Sequence, residues 1–190
     1  MPYVGQTITD VFPTSINVDT ATIATANIAN QLTDANMSVG SVIQIVQTVL
    51  TTSQSTTGTS YADITGFTAS ITPSDNTNKI LIEIDAHFGM LAGNTTRTQL
   101  LRGSTVVVKH TTAGVAATEE AIFLTGGFTT VSNRQNHFRH LTFLDDPQST
   151  SELVYKLRWK VDGSTAYLNR WALNSDLGNI STITLKEIVV

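Results

Sequence analysis

Cysteine is absent from this chain of 190 residues, which excludes a disulfide framework, a thiolate nucleophile and a Cys-ligated zinc or iron–sulfur site. Charge is scarce: 14% of residues are ionisable acids or bases, against about 25% in an average domain. The 15 acidic and 11 basic side chains leave a net charge of −4, which argues against a general nucleic-acid binder. No lysine or arginine occurs before Lys79, so residues 1–78 carry only Asp10, Asp19, Asp34, Asp63 and Asp75. Long apolar runs are missing too. The most apolar stretch, Val42 to Leu50, is interrupted by Gln44, Gln47 and Thr48, well short of the roughly 20 apolar residues a membrane helix needs. The opening MPYVGQTITDVFPTS has neither the basic start nor the apolar run of a secretory signal, so a soluble, unexported chain is expected. Also lacking are a phosphate-binding glycine loop ending in Gly-Lys-Ser/Thr, a G-x-S-x-G elbow and an H-E-x-x-H pair.

What the chain does have is hydroxyl groups: 32 threonines and 15 serines. Threonine suits strands and turns, and hydroxyl-rich outer strand faces stay soluble with little charge. Residues 1–40 show no sustained periodicity, with Ile16, Val18, Ile23 and Ile28 scattered among Ala, Thr and Asn. Such a segment cannot offset its ordering entropy alone and is expected to be an extended arm held by a neighbouring chain.

From Ser41 onward the pattern is that of short strands. Ile80, Ile82, Ile84, Ala86 and Phe88 alternate strictly with Leu81, Glu83, Asp85 and His87, as in a half-buried strand. Further strands are predicted over 42–50, 61–71, 98–101, 105–109, 121–129, 137–144, 152–161, 165–171 and 180–189, with a hairpin at Arg102-Gly103-Ser104. Turn residues fall at Pro73-Ser74-Asp75, Asp146-Pro147 and Asp162-Gly163-Ser164. This succession of short strands without a long amphipathic helix predicts an all-β, jelly-roll-like β-sandwich over 41–190, with an immunoglobulin-like sandwich as the runner-up.

Several groupings bear on function. Glu83, Asp85 and His87 share one strand face about 6.6 Å apart, too far for one strand to converge them on a metal; a polar outer face or subunit contact is the plainer reading. Lys156, Arg158 and Lys160 form a cationic row that suits an anionic glycan or phosphate, although a solvated face, set against Glu83 and Asp85 across strands, is the plainer reading. Tyr167, Asn169 and Trp171 would share a face in a continued strand, where two rings beside an amide suit a sugar as well as a core. His137 and His140, three apart, point to opposite faces and cannot share a metal. The consecutive pairs Glu119-Glu120 and Asp145-Asp146 would likewise diverge, so they do not form the facing carboxylates of a glycosidase. No catalytic residue, metal or cofactor is expected.

Gly40-Ser41-Val42-Ile43-Gln44, TSYADITGFTASITPSDNTNKILIEI, LLRGST, FLDDP, YLNR and STITLKEI occur in this order. In that order they resemble a β domain of tail-fibre and other virion appendage proteins of tailed bacteriophages, especially phages of cyanobacteria and marine bacteria, over residues 40–190. Met1-Pro2-Tyr3-Val4-Gly5 is similar to the start of fibre proteins that attach through their amino termini, although the chain is short and has no shaft. The resemblance implies a non-enzymatic, homotrimeric virion component on the outer particle surface, made in the host cytoplasm. Its amino-terminal arm would dock on a tail or major capsid protein, with Pro2, Tyr3, Val4, Ile16, Val18, Ile23 and Ile28 as anchoring residues. The implied partners are copies of itself, other virion proteins and a host surface glycan, not nucleic acid or a membrane. Capsid decoration is the alternative to a tail-fibre or adaptor role, and a polysaccharide-degrading enzyme is a remote third.

Overall fold

The computed structural model describes residues 37–90, 95–108, 121–126, 135–172 and 178–190. Among these, all regular structure is β: β1 (Val42–Leu50), β2 (Gln54–Thr56), β3 (Ala62–Ile71), β4 (Lys79–Met90), β5 (Thr95–Arg102), β6 (Thr105–Val106), β7 (Phe123–Gly126), β8 (Gln135–Asp145), β9 (Leu153–Val161), β10 (Ala166–Leu168) and β11 (Ser181–Ile188). The anchoring residues assigned to the arm and the Glu119-Glu120 pair lie outside the described residues.

β4 shows how the alternation becomes a fold. Ile80, Ile82, Ile84, Ala86 and Phe88 are fully buried, and their neighbours Glu83, Asp85 and His87 look outward. β8 runs antiparallel along one edge of β4 from Ile80 to Met90, and β11 pairs with Lys79 to Asp85 on the other. Beyond β11 lies β1; β10 takes up the remaining edge of β4 and carries β2. In the second sheet β3, β9 and β5 lie in order, and β6 and β7 divide the far edge of β5. Every pairing is antiparallel.

Setting aside the short strands β2, β6 and β10, the sheets read β1-β11-β4-β8 and β3-β9-β5-β7. This is the strand order of a jelly roll, in which two interleaved Greek keys place chain-distant strands side by side. The inner faces pack together: Ile82, Ile84, Phe88, Ile183 and Leu185 from the first sheet share one core with Phe67, Leu100, Tyr155, Leu157 and Trp159 from the second. The Phe88 ring meets Phe123 edge-on at 6.4 Å and Trp159 at 6.5 Å.

Buried polar groups pin the ends of the sandwich. Asp145, at the end of β8, accepts through Oδ2 from Arg102 Nη1 at 2.7 Å and from the Tyr155 hydroxyl at 2.6 Å, joining the first sheet to two strands of the second. Glu187 Oε1 accepts from the Ser74 amide at 2.7 Å, the Ser74 hydroxyl at 2.6 Å and Asn78 Nδ2 at 2.8 Å, which fixes the β3–β4 turn under β11. Two glycines serve defined needs. Gly103 opens the two-residue β5–β6 turn at φ 59°. At Gly89 a Cβ would lie 2.2 Å from the Arg170 carbonyl oxygen, so only a residue without one lets segment 170–172 cross β4.

Besides the unpredicted β2, the structure departs from the sequence expectation in two strands. The stretch 165–171 is not one strand: β10 ends at Leu168 because Asn169 takes a left-handed φ of 60°. The predicted 105–109 strand is described only as β6, two residues long.

Burial and the neighbouring Asp145 carboxylate push the Tyr155 hydroxyl far above the ordinary phenol range. A raised folded value means the native state keeps its proton where the unfolded chain, titrating near 10, has lost it. Stability is therefore full below about pH 10 and falls above it at about 1.4 kcal/mol per pH unit. Chemical denaturation across pH 8–11.5 is expected to show this alkaline limb, and Tyr155→Phe to flatten it at some cost in stability at neutral pH.

Candidate functional surfaces

Each sheet presents one outer face. On the first, the pairing aligns side chains in rows across four strands: Ile45, Lys186, Leu81 and Leu144; then Gln47, Thr184, Glu83 and Thr142; then Val49, Thr182, Asp85 and His140. Its charges are locally matched. Lys186 Nζ lies 2.7 Å from Glu83 Oε2, and His140 Nδ1 lies 2.7 Å from Asp85 Oδ1. His140 Nε2 is 3.0 Å from the Thr142 hydroxyl, so an imidazole protonated on Nδ1 satisfies both contacts. Large apolar side chains flank these pairs at both edges: Val42, Ile45 (62% exposed) and Val49 on β1, Phe138 (54% exposed) and Leu144 on β8. Val42 and Ile45 share the face despite a spacing of three because a register shift falls between Val42 and Gln44. This edge patch was not legible as exposed, since Val42 to Leu50 is the most apolar stretch of the sequence.

Glu83, Asp85 and His87 share this outer face, as the alternation predicts, and each is engaged by a different neighbour. The His87 ring lies 4.9 Å from that of Phe138. Loss of solvation beside Phe138 holds His87 below the ordinary imidazole range, against the opposing pull of Asp85. His137 lies on the opposite face of β8 from His140 and is also held low, first by desolvation and then by Arg139. Among the described residues no group of three or more His, Cys, Asp or Glu side chains is placed to hold a metal.

The second outer face carries the cationic row, with partners other than those considered from sequence. Glu83 and Asp85 belong to the other sheet, so they cannot pair with Lys156, Arg158 or Lys160 across adjacent strands. Lys156 Nζ instead donates to Asp63 Oδ2 on β3 at 2.7 Å, and Arg97 Nη2 to Asp162 Oδ2 at 2.8 Å. Arg158 Nε donates to Gln99 Oε1 at 2.7 Å, and Arg158 and Lys160 both lie over the Tyr61 ring, at 5.1 and 5.0 Å.

The expected trio Tyr167, Asn169 and Trp171 is not brought together. Asn169 is buried, its Nδ2 donating to the Leu50 carbonyl at 2.7 Å and its Oδ1 accepting from the Ser181 hydroxyl. It fastens the β10–β11 connection to β1 and presents nothing to a ligand. Tyr167 remains on β10 beneath the Arg170 guanidinium, 4.4 Å from its ring, and Trp171 lies past the end of the strand. At one end of the sandwich an open cavity of about 350 Å³ is lined by Asn76, Thr77, Lys79, Asp146, Gln148 and Val190.

No family model matches the chain, and no curated protein matches it. Among solved structures it is similar to infectious bursal disease virus, Gx strain, at a TM-score of 0.42 and 13% identity over 95% of this chain and 42% of that one. It is also similar to a mutant VP2 protein of that virus in T=1 particles, at 0.37, 11%, 95% and 41%, and to its VP2 subviral particle, at 0.34, 12%, 79% and 38%. The chain thus spans less than half the length of these proteins. At such scores the assignment of a jelly roll rests on the strand order itself.

Because His87 and His137 are held low, the unfolded chain takes up protons first as pH falls through the ordinary histidine range. Their contribution is therefore complete above about pH 6.5 and is lost below it. His87→Gln is expected to reduce the drop in thermal midpoint between pH 7 and pH 5 relative to the parent chain; an unchanged drop would leave acid sensitivity to other groups.

Proposed function

We propose that this chain is a non-enzymatic structural component of a virion. Its jelly-roll domain is displayed on the particle surface and self-associates, most simply as a trimer, through the outer face of the β1-β11-β4-β8 sheet. The observation that carries the reading is the composition of that face: internally matched charges with exposed Val42, Ile45, Val49, Phe138 and Leu144 around them. A lone monomer gains nothing from large apolar side chains on a flat sheet, whereas subunit packing removes them from water at about 25 cal/mol per Å² before the cost of association. The order of motifs shared with phage appendage domains supports the virion setting, and attachment through residues 1–40 follows from that resemblance. A tail-fibre or adaptor type of appendage is the first reading, and capsid decoration is distinguished from it by copy number.

The direct test is protein composition of purified particles: recovery of this chain with virions at fixed stoichiometry supports the proposal, and its absence refutes it. Tens of copies indicate a tail appendage and hundreds indicate decoration. Light scattering of the full chain is expected to give a trimer that persists in molar salt, because exposed ion pairs add little. Ile45→Lys, at an already exposed position, is expected to yield a folded monomer; a parent chain that is monomeric at all concentrations would overturn the self-association.

A further inference from the structure

Among the described residues, the outer face of the second sheet holds a cation without an anion. Arg158 has Gln99 directly opposite it on β5 and Asp63 directly opposite it on β3. The Asp63 carboxylate is turned along the strand to Lys156 at 2.7 Å, and the other carboxylate of this face, Asp162, is paired with Arg97 at 2.8 Å. The contacts of Arg158 are the Gln99 amide oxygen at 2.7 Å and the face of Tyr61 at 5.1 Å, both neutral. The Nε bond and the ring fix the guanidinium plane and leave its two terminal nitrogens, the pair that meets a carboxylate end-on.

Gln99 supplies the second observation. Its oxygen must face Arg158, since Nε can only donate, so the orientation of the amide is determined. Its Nε2 is then a buried donor with no partner, on a side chain only 1% exposed. Buried donors in native structures are nearly always satisfied, so this covered orphan beside a fixed guanidinium marks hydrogen-bonding capacity that an oxyanion drawn in by Arg158 completes only once the amide is uncovered. From this geometry we infer that Arg158, with Gln99 and Tyr61, is a carboxylate-binding subsite for an acidic, uronate-type polysaccharide. The inference rests on the proposed surface display, since a displayed domain meets glycans.

A carboxylate is favoured over phosphate by the number of cations. Nucleic acids and polyphosphates are held by many cationic contacts at once, whereas here Lys156 and Arg97 are already paired within the chain, which is acidic overall. One oriented fork suits one planar carboxylate, and the Ser70 hydroxyl, on the neighbouring outer face of β3, suits a polyhydroxylated ring.

The full chain is to be titrated by calorimetry with oligogalacturonate, a neutral galactose oligomer of equal length and inorganic polyphosphate, at low and high salt. The expected result is salt-sensitive binding of oligogalacturonate and none of the neutral oligomer. Arg158→Gln is expected to weaken it by about tenfold or more, and Gln99→Glu, which provides an internal carboxylate, to do the same with the thermal midpoint retained. Arg97→Gln, removing a cation from the same face, is expected to change affinity by no more than about threefold. Equal binding of the neutral oligomer, tighter binding of polyphosphate, no binding of oligogalacturonate, or equal losses for Arg97→Gln and Arg158→Gln would each overturn the subsite. The outcomes are separable from those for the virion role: a chain present in particles but indifferent to uronate keeps the role and loses the subsite, and the converse holds equally.

Discussion

The inner stripe of β4 is the constraint on which the rest depends. Ile80, Ile82, Ile84, Ala86 and Phe88 have no solvent exposure, and β4 is paired along both edges. Because successive strand residues face opposite ways, a slip of one residue would turn this stripe to water and drive Glu83, Asp85 and His87 into the core. Neither half of that exchange is tolerable, so the register of β4 is fixed, and through it those of β8 and β11. The outer rows follow without further instruction: once Ile84 faces inward, Asp85 must stand beside His140 and Thr182, and Glu83 beside Thr142 and Thr184.

Apolar stripes set which face is inside but discriminate poorly between similar sandwich arrangements. The buried polar groups do this. Asp145 can satisfy its carboxylate only if β8 of one sheet ends beside Arg102 and Tyr155 of the other. Glu187 requires the β3–β4 turn to fold beneath β11, and Asn169 requires β10 to turn toward Leu50 and Ser181. Losing one partner would strand a buried donor or acceptor, a cost of about 1–3 kcal/mol, more for a charge. These contacts span 10 to 119 residues of sequence, so they also record which distant segments must meet.

Those spans explain what was legible in the sequence. Period 2 in β4 and β9, the glycine turn at Gly103 and the β11 run are local signals, so the all-β class and most strand positions could be read. The cross-sheet partners of Arg102, Asp145 and Glu187 could not, since nothing local tells which strands become neighbours. The cationic row was visible, but its pairing with Asp63 and Gln99 depends on β3 and β5 flanking β9, a consequence of topology. β2 is three residues of Gln, Ser and Thr, too short and polar to show a period. Asn169 misled for another reason: its amide completes buried hydrogen bonds that stabilise a left-handed φ, and the same residue on an extended strand would have stood beside Tyr167 and Trp171 as the alternation suggested.

The two outer faces differ in a way that bears on how one domain could serve both association and recognition. On the first sheet every central charge has an opposite or hydrogen-bonding partner in the adjacent strand, so covering the face with another subunit would not bury a lone ion, and the apolar edges would gain from being covered. On the second, the described partners of Arg158 are all neutral, and covering it with an uncharged surface would leave a guanidinium desolvated without compensation, an expensive arrangement. The face suited to subunit packing is therefore the one with Ile45 and Phe138, and the face best left accessible is the one with Arg158. Since the faces belong to opposite sheets of the sandwich, assembly through the first leaves the second turned away from the contact, where a ligand in solution can reach it.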